Sequence, residues 1–378
     1  MPTAPLDRDL TRPSEETRPT ALVESPLVAP AFLNEHDSEE VSVDDSAAVN
    51  GVGIALRDSL HDRHEAPCDE FRGPTVTVVM ATYQGELFLN EQLDSIVAQT
   101  HRNWRLYVSD DGSTDETRAI VRELGAARRG RNKVDVVDGP RKGFVANFLT
   151  SICQAPEADY YAFSDQDDVW DPDKLERALS ILERMPKDRP ALYCGRTWIA
   201  DTSGQPIGLS PAFLRPPSFG NALVQSIGGG NTMVMNHAAR ELLRAAGPDK
   251  DVVSHDWWTY QLVSGAGGAV YYDLEPRLLY RQHGSNSMGA NNTFGARCKR
   301  LRLLFKGRFR QWTDRNVRAL GQVRHLLTRD NRAILDSLVE VRSRPLPRNL
   351  LMLYRSGIYR QTWPNNIGLI VATAFGKL

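Results

Sequence analysis

Three carboxylates fall within four positions of Ser164-Asp165-Gln166-Asp167-Asp168-Val169-Trp170. They directly follow Tyr160-Tyr161-Ala162-Phe163, a short apolar run of the kind that forms a buried strand. Acids this close repel, and at least one keeps its proton above the usual carboxylate range unless a cation sits among them. Oxygen-rich, thiol-free clusters suit Mg²⁺ or Mn²⁺, ions that commonly hold nucleotide phosphates. The same residues also fit an acidic turn capping a helix that starts near Asp171-Pro172. Local spacing does not separate these two readings.

The elements around the cluster narrow the choice. Val76-Thr77-Val78-Val79-Met80 is a β-branched run and predicts a buried strand, followed by a turn at Ala81–Gly85. Leu87, Leu89, Leu93, Ile96 and Val97 then recur at helical spacing. Arg105–Val108 predicts a second strand ending in Ser109-Asp110-Asp111-Gly112, and Ser113 with Glu116 predicts a capping box for a helix through Leu124. Val134–Val137 predicts a third strand, with the turn Gly139–Gly143 and a helix through Ile152 after it. Four strands alternating with helices imply βαβ units and a mostly parallel sheet flanked by helices, an α/β fold. Ligands of such sheets bind beyond the C-terminal strand ends. Thr82, Asp110, Asp111, Lys142, Asp165 and Asp167 all fall there in the sequence. Downstream, Ala191–Ile199 predicts one strand, Gly228–Thr232 a glycine-rich loop before the strand Met233–Met235, and His255 a helix start. Ala269–Tyr272 predicts a further strand.

The bulk numbers describe an ordinary soluble composition, with 41% hydrophobic and 25% charged residues and a formal net charge of −1. Charge order is more informative. Over residues 1–70 acidic side chains outnumber basic ones sixteen to five, whereas over 295–378 basic ones lead eighteen to four. Residues 1–70, rich in Pro, Ser, Glu and Asp, are expected to be a disordered acidic tail. A folded domain is expected over 71–293 and a helical basic extension over 294–378. Cys68, Cys153, Cys194 and Cys298 have neither zinc nor redox spacing, which fits free thiols in a reducing, cytoplasmic setting. No signal peptide is evident, and no apolar run reaches the ~20 residues of a membrane span.

In their order, Val76–Tyr83, Ser109–Thr114, Ser164–Trp170 and His255–Trp258 resemble the inverting glycosyltransferases of family 2, which have the GT-A fold. The resemblance covers roughly 74–290. Ser-Asp-Gln-Asp-Asp-Val-Trp, His-Asp-Trp-Trp and Tyr280-Arg281-Gln282-His283-Gly284-Ser285-Asn286 are most similar to bacterial rhamnosyltransferases. Those build O-antigen, capsule or cell-wall rhamnan chains, commonly from dTDP-rhamnose. The resemblance implies a nucleotide-sugar donor, dTDP-rhamnose or a UDP-sugar, and a saccharide or lipid-linked acceptor. It implies that Ala81, Thr82, Tyr83 and Glu86 hold base and ribose, and that Asp111 accepts from the pyrimidine N3–H. Asp110 binds the donor or fixes its loop. Lys142 and Gly143 meet the base or phosphates, with a tight turn as the other reading of Gly143. Asp165 faces the ribose or a metal-bound water, and Asp167 ligates Mg²⁺ or Mn²⁺, with His283 as a further ligand. Asp168 orients the acceptor or caps a helix. Asp256 is the base. Gly230, Asn231, Trp257, Trp258 and Arg281 line the sugar, acceptor or diphosphate, the alternative for the tryptophans being the core.

Arg297–Arg310 interleaves basic residues with Leu301, Leu303, Leu304, Phe305 and Phe309. Such a segment suits the surface of an anionic membrane, and a packed helical appendage is the other reading. No nucleic-acid recognition module accompanies it, so no nucleic-acid partner is expected. The expected place is peripheral, on the inner face of the plasma membrane. Two other functions remain open from sequence. One is a sugar nucleotidyltransferase, disfavoured because Ala81–Gly85 lacks a glycine-rich basic loop. The other is a nucleotide-sugar-binding scaffold.

Overall fold

The β-branched run forms β1 (Val76–Thr82), which pairs in parallel with both β2 (Trp104–Asp110) and β4 (Tyr160–Ser164). A computed structural model describes residues 73–283 and 308–378 of the chain. The central sheet has seven strands, with β3 (Val134–Asp138) beyond β2. On the other side of β4 lie β9 (Val234–Asn236), β6 (Ala191–Gly195) and β10 (Ala269–Asp273). β9 runs antiparallel to both neighbours, and all other pairings in this sheet are parallel. The expectation of a mostly parallel sheet flanked by helices is therefore met.

Both faces of the sheet are covered, which explains why β1 is buried on both faces instead of alternating between core and solvent. Val76, Val78 and Met80 pack with α1 (Leu89–Val97), through Leu89, Leu93 and Ile96, and with α4 (Lys174–Leu182). Val79 and Phe163 face the opposite core with α3 (Phe144–Gln154). That second core also takes Trp258, Leu262 and Val263 of α7 (His255–Gly265), a helix buried along its whole length. α5 (Phe219–Ala222) and α6 (His237–Ala246) pack there as well. The later helices α8 (Arg308–Gln322), α9 (Arg329–Ser343), α10 (Arg348–Arg355) and α11 (Trp363–Ala374) join the same core through Phe309, Leu320, Leu338, Leu353 and Leu369.

Two expectations are corrected. Ala191–Ile199 is two strands, not one. After β6 the chain turns at Arg196 and Thr197 and enters β7 (Trp198–Ala200) of a second, four-stranded sheet. Its order is β5 (Val169–Trp170), β11 (Leu278–Arg281), β7, β8 (Pro206–Leu209). The Ser113–Glu116 capping box does not form either. α2 (Thr117–Ala127) starts without a side-chain cap, and the Ser113 hydroxyl donates to Asp110 Oδ2 at 2.6 Å instead. The helix begins at Thr117, too late in the chain for Ser113 to stand at its N-cap, and the charge-assisted bond to Asp110 holds the hydroxyl in the loop instead. The expected tail over 1–70, most of Arg297–Arg310, and Gly284-Ser285-Asn286 lie outside the described residues.

Candidate active site

Asp110 closes β2 and is buried. Its Oδ2 accepts from Thr82 Oγ1 at 2.9 Å and its Oδ1 from Ser113 N at 2.9 Å, so it ties the ends of β1 and β2 to one loop. Asp111 beside it is partly exposed. Its Oδ1 accepts from Arg141 N at 2.6 Å and its Oδ2 from Gly143 N at 2.8 Å. Asp111 thereby holds the turn after β3, and a carboxylate has lone pairs left for one more donor. Gly143 has φ +84° and ψ 168°, a backbone conformation open essentially to glycine alone. Lys142 is exposed next to it.

Across β1, Gln166 grips the main chain of Tyr83 at both ends, accepting from its N–H at 2.8 Å and donating to its carbonyl at 2.9 Å. Tyr83 itself is exposed, Ala81 is partly buried, and Glu86 accepts from Glu116 N at 3.0 Å. The acid cluster thus sits beside the first-strand turn.

Asp165 is driven up to about 8, by burial first and then by the charges of Asp167 and Asp256. Asp168 is pushed well above the carboxylate range by burial, Asp167 and Asp165. Its Oδ2 accepts from Asn231 Nδ2 at 2.7 Å, while Oδ1 is buried with no partner. The helix-capping reading of Asp168 is corrected, since α4 begins after Asp173 and Asp168 bonds Asn231. His283 Nε2 lies 2.8 Å from Asp167 Oδ2, its ring stacked on Phe88.

Asp256 lies in the first turn of α7. Its Oδ1 accepts from Trp257 N at 2.5 Å and from Ser254 Oγ, and Gly230 N–H also contributes. Burial raises the Asp256 carboxyl despite these bonds. The charge of Asp256 contributes to raising Asp165, so the cluster lies within electrostatic reach of the start of α7. His255 stacks on Phe148 with centroids 3.9 Å apart, both ring nitrogens buried without partners. Burial holds its imidazole down at about 3, hence neutral at physiological pH.

The two tryptophans take their core reading, and Arg281 sits differently from expectation. Trp258 is fully buried in the core and offers no face to a sugar. Trp257 is also buried, its indole N–H donating to Ala222 O at 2.6 Å. Arg281 does not reach out as a free diphosphate clamp. Its guanidinium binds Glu91 at 2.5 Å and Thr202 O at 2.8 Å, and lies 3.3 Å from Asp167 O, so it braces the main chain of the cluster.

Sequence reading missed Gln166 as a brace, and Lys174 altogether. Lys174 Nζ is buried over the Trp170 ring, 3.1 Å from its centroid, and burial pulls it well below its ordinary range while Asp168 and Asp165 oppose that. The usable signal was Lys174 lying one helical turn after Trp170 in a stretch otherwise acidic.

Among the described residues, no group of three His, Cys, Asp or Glu side chains stands in a ready coordinating arrangement. The donor types nevertheless fit a hard divalent ion. Asp167 Oδ2 and His283 Nε2 lie 2.8 Å apart with no thiol beside them, and the raised Asp165, which feels the charge of Asp167, marks a place short of positive charge.

The family model described as Glycosyl transferase family 2 matches residues 77–241. The chain is 29% identical over 251 residues to dTDP-rhamnosyl transferase RfbG of Shigella flexneri, covering 64% of this chain and 84% of that protein. It is 29% identical over 107 residues to UDP-Glc:alpha-D-GlcNAc-diphosphoundecaprenol beta-1,3-glucosyltransferase WfgD of Escherichia coli, a match spanning 28% of this chain and 40% of that protein. Among solved structures, S. aureus TarS 1-349 in complex with UDP-GlcNAc overlaps at TM-score 0.44 and 16% identity, over 80% of this chain and 92% of that one. The mannosyltransferase PcManGT from Pyrobaculum calidifontis, in complex with GDP-Man and Mn²⁺, overlaps at TM-score 0.42 and 17% identity, over 85% and 90%. Over residues 77–241, from β1 through the acid cluster to α6, the chain matches the glycosyl transferase family 2 model.

Proposed function

We propose that this chain is an inverting, divalent-cation-dependent glycosyltransferase. It moves a sugar, first among candidates rhamnose from dTDP-rhamnose, onto a growing cell-surface polysaccharide or lipid-linked acceptor. The similarity to the Shigella rhamnosyl transferase supports the donor. The observation that carries the reading is that Asp165, next to the Gln166 that holds Tyr83 at the end of β1, feels the charges of both Asp167 and Asp256.

In this reading Asp111 and the Ala81–Tyr83 turn receive the pyrimidine and ribose. Asp167, Asp165 and His283 would hold the cation, which neutralises charge on the departing diphosphate when bound. Asp256 takes the proton from the acceptor hydroxyl. The freed oxygen pair forms a bond to the anomeric carbon, while the opposite carbon–oxygen bond breaks and its pair leaves on the nucleoside diphosphate. Burial makes Asp256 a stronger base than an exposed carboxylate, and its bonds to Ser254 and Trp257 N fix its direction. The chain works peripherally on the cytoplasmic face of the membrane, where Arg297–Arg310 supplies basic and apolar groups.

A thermal-shift panel of nucleotide sugars led by dTDP-rhamnose and UDP-hexoses, then donor hydrolysis with and without Mn²⁺, tests the proposal. A scaffold would bind without hydrolysing. Absence of any nucleotide-sugar shift overturns the reading.

A further inference from the structure

No helix among the described residues is long and apolar enough to cross a membrane. The last two helices nonetheless carry an unusual surface. From Val341 to Leu378 there is no Asp or Glu, against six Arg and Lys. α11 has no charged residue at all. Its inner face, Leu369, Ala372 and Thr373, is buried. Its outer face presents Trp363, Ile367 and Ile370, at spacings of four and three that place them on one side of the helix. Trp363 is 79% exposed. α10 adds Leu351 and the 88%-exposed Tyr354, and Phe375 follows α11. Asn349 Nδ2 donates to Thr373 O at 3.1 Å, which pins α10 to α11. Arg348 and Arg355 are exposed and form no ion pair among the described residues.

Large apolar side chains in water are costly, and a monomer's surface rarely gathers this many on one pair of helices. Their company decides the partner. A protein partner of ordinary composition would not require an acid-free stretch. An anionic bilayer does, because each Lys or Arg near its surface adds attraction and an acid would oppose it. Trp and Tyr favour the headgroup level, where the ring is apolar and the polar atom stays wet. At twelve residues, α11 is ~18 Å long, enough to lie along an interface and too short to span it.

We infer that the outer face of α10 and α11 docks the protein on an anionic phospholipid surface. Trp363, Ile367, Ile370 and Tyr354 enter the headgroup–acyl boundary, and Arg348 and Arg355 meet lipid phosphates. The inference rests on the peripheral placement proposed above. It assigns that contact to residues other than Arg297–Arg310.

The test is flotation of the full chain with phosphatidylglycerol-containing vesicles and with purely phosphatidylcholine vesicles. Wild type should bind the anionic vesicles and lose binding as salt rises. The variant Trp363→Ser/Ile367→Ser/Ile370→Ser should bind at least about tenfold less, with its thermal midpoint and donor hydrolysis unchanged. Should that variant fold poorly, Arg348→Glu/Arg355→Glu replaces it with the same expected loss. Undiminished binding of both variants overturns the assignment. If binding then falls on neutralising Arg297, Lys299, Arg300 and Arg302, peripheral attachment stands and only this face is wrong. Wild type that ignores anionic vesicles overturns both. So does a dimer in solution that the triple variant separates, which would mean a second copy covers the face.

Discussion

Gln166 holds both polar atoms of the Tyr83 peptide unit, with Oε1 2.8 Å from its nitrogen and Nε2 2.9 Å from its oxygen. The acid cluster and the first-strand turn are therefore fixed relative to each other by one side chain. Gln166→Ala should cost ~1–2 kcal/mol for two lost hydrogen bonds. On the proposed function it should raise donor KM about tenfold, with a smaller change in kcat. Gln166→Glu should be no better, because its second oxygen would face the Tyr83 carbonyl. Steady-state kinetics and thermal unfolding of both variants check this.

Gly143 has open space around it, with nothing within 4 Å of an added Cβ. A purely steric view predicts that Gly143→Ala is harmless. The φ of +84° predicts otherwise, at ~1–3 kcal/mol for a side chain forced into that region. Strain there should loosen Gly143 N from Asp111 and weaken nucleotide affinity. Calorimetric titration with the nucleoside diphosphate is the measurement.

At Gly230 the reason for glycine is a neighbour. A Cβ there would lie 2.1 Å from His255 Nε2. His255 is held by Phe148 at 3.9 Å and Phe163 at 5.0 Å, so it cannot swing away. Gly230→Ala should destabilise by ~1–3 kcal/mol, as overpacking does. His255→Ala in the same chain should recover part of the loss, a coupling that a double-mutant cycle reads directly.

His255 also sets an acid limb of stability. Its folded value of about 3 lies below the unfolded ~6.5, so the unfolded chain binds the proton more readily. Its part in stability is complete above about pH 6.5 and is lost as pH falls toward 3, by up to ~1.4 kcal/mol per pH unit. His255→Leu should flatten the denaturation midpoint over that interval. An unchanged slope would show that the ring is not shielded from water.

Asp256→Asn keeps the shape and most hydrogen bonds of the site and removes the base. Transfer should fall by ~10²–10⁴-fold while donor-nucleotide affinity stays within about twofold. Asp167→Ala should lower kcat by ~10²-fold or more and raise the Mn²⁺ concentration needed for half activity. Near-normal turnover in either purified variant would remove that residue from its proposed role.

What the sequence disclosed follows from what each residue leaves visible. β1 and β4 were legible because strands buried on both faces must be continuously apolar. Their downstream acids stood out against those runs. The break between β6 and β7 was marked only by Gly195, a single glycine inside a run that reads as one strand. Ser113 matched a helix-cap spacing and was claimed instead by Asp110, a contact that no local pattern encodes. Lys174 is a residue type that normally stays in water, so its burial under the acid cluster had no precedent in composition. Arg281 was read as reaching for a ligand because its commitment to Glu91, far away in the chain, is a tertiary fact.

α7 is enclosed on every side, and Asp256 is built into its first turn. A carboxylate mounted on such a helix has no freedom to follow a bulky or awkward acceptor. On the proposed function, any change of preferred alcohol would have to come from residues outside this helix. Replacements along 255–265 should be eliminated by misfolding before chemistry is ever assayed.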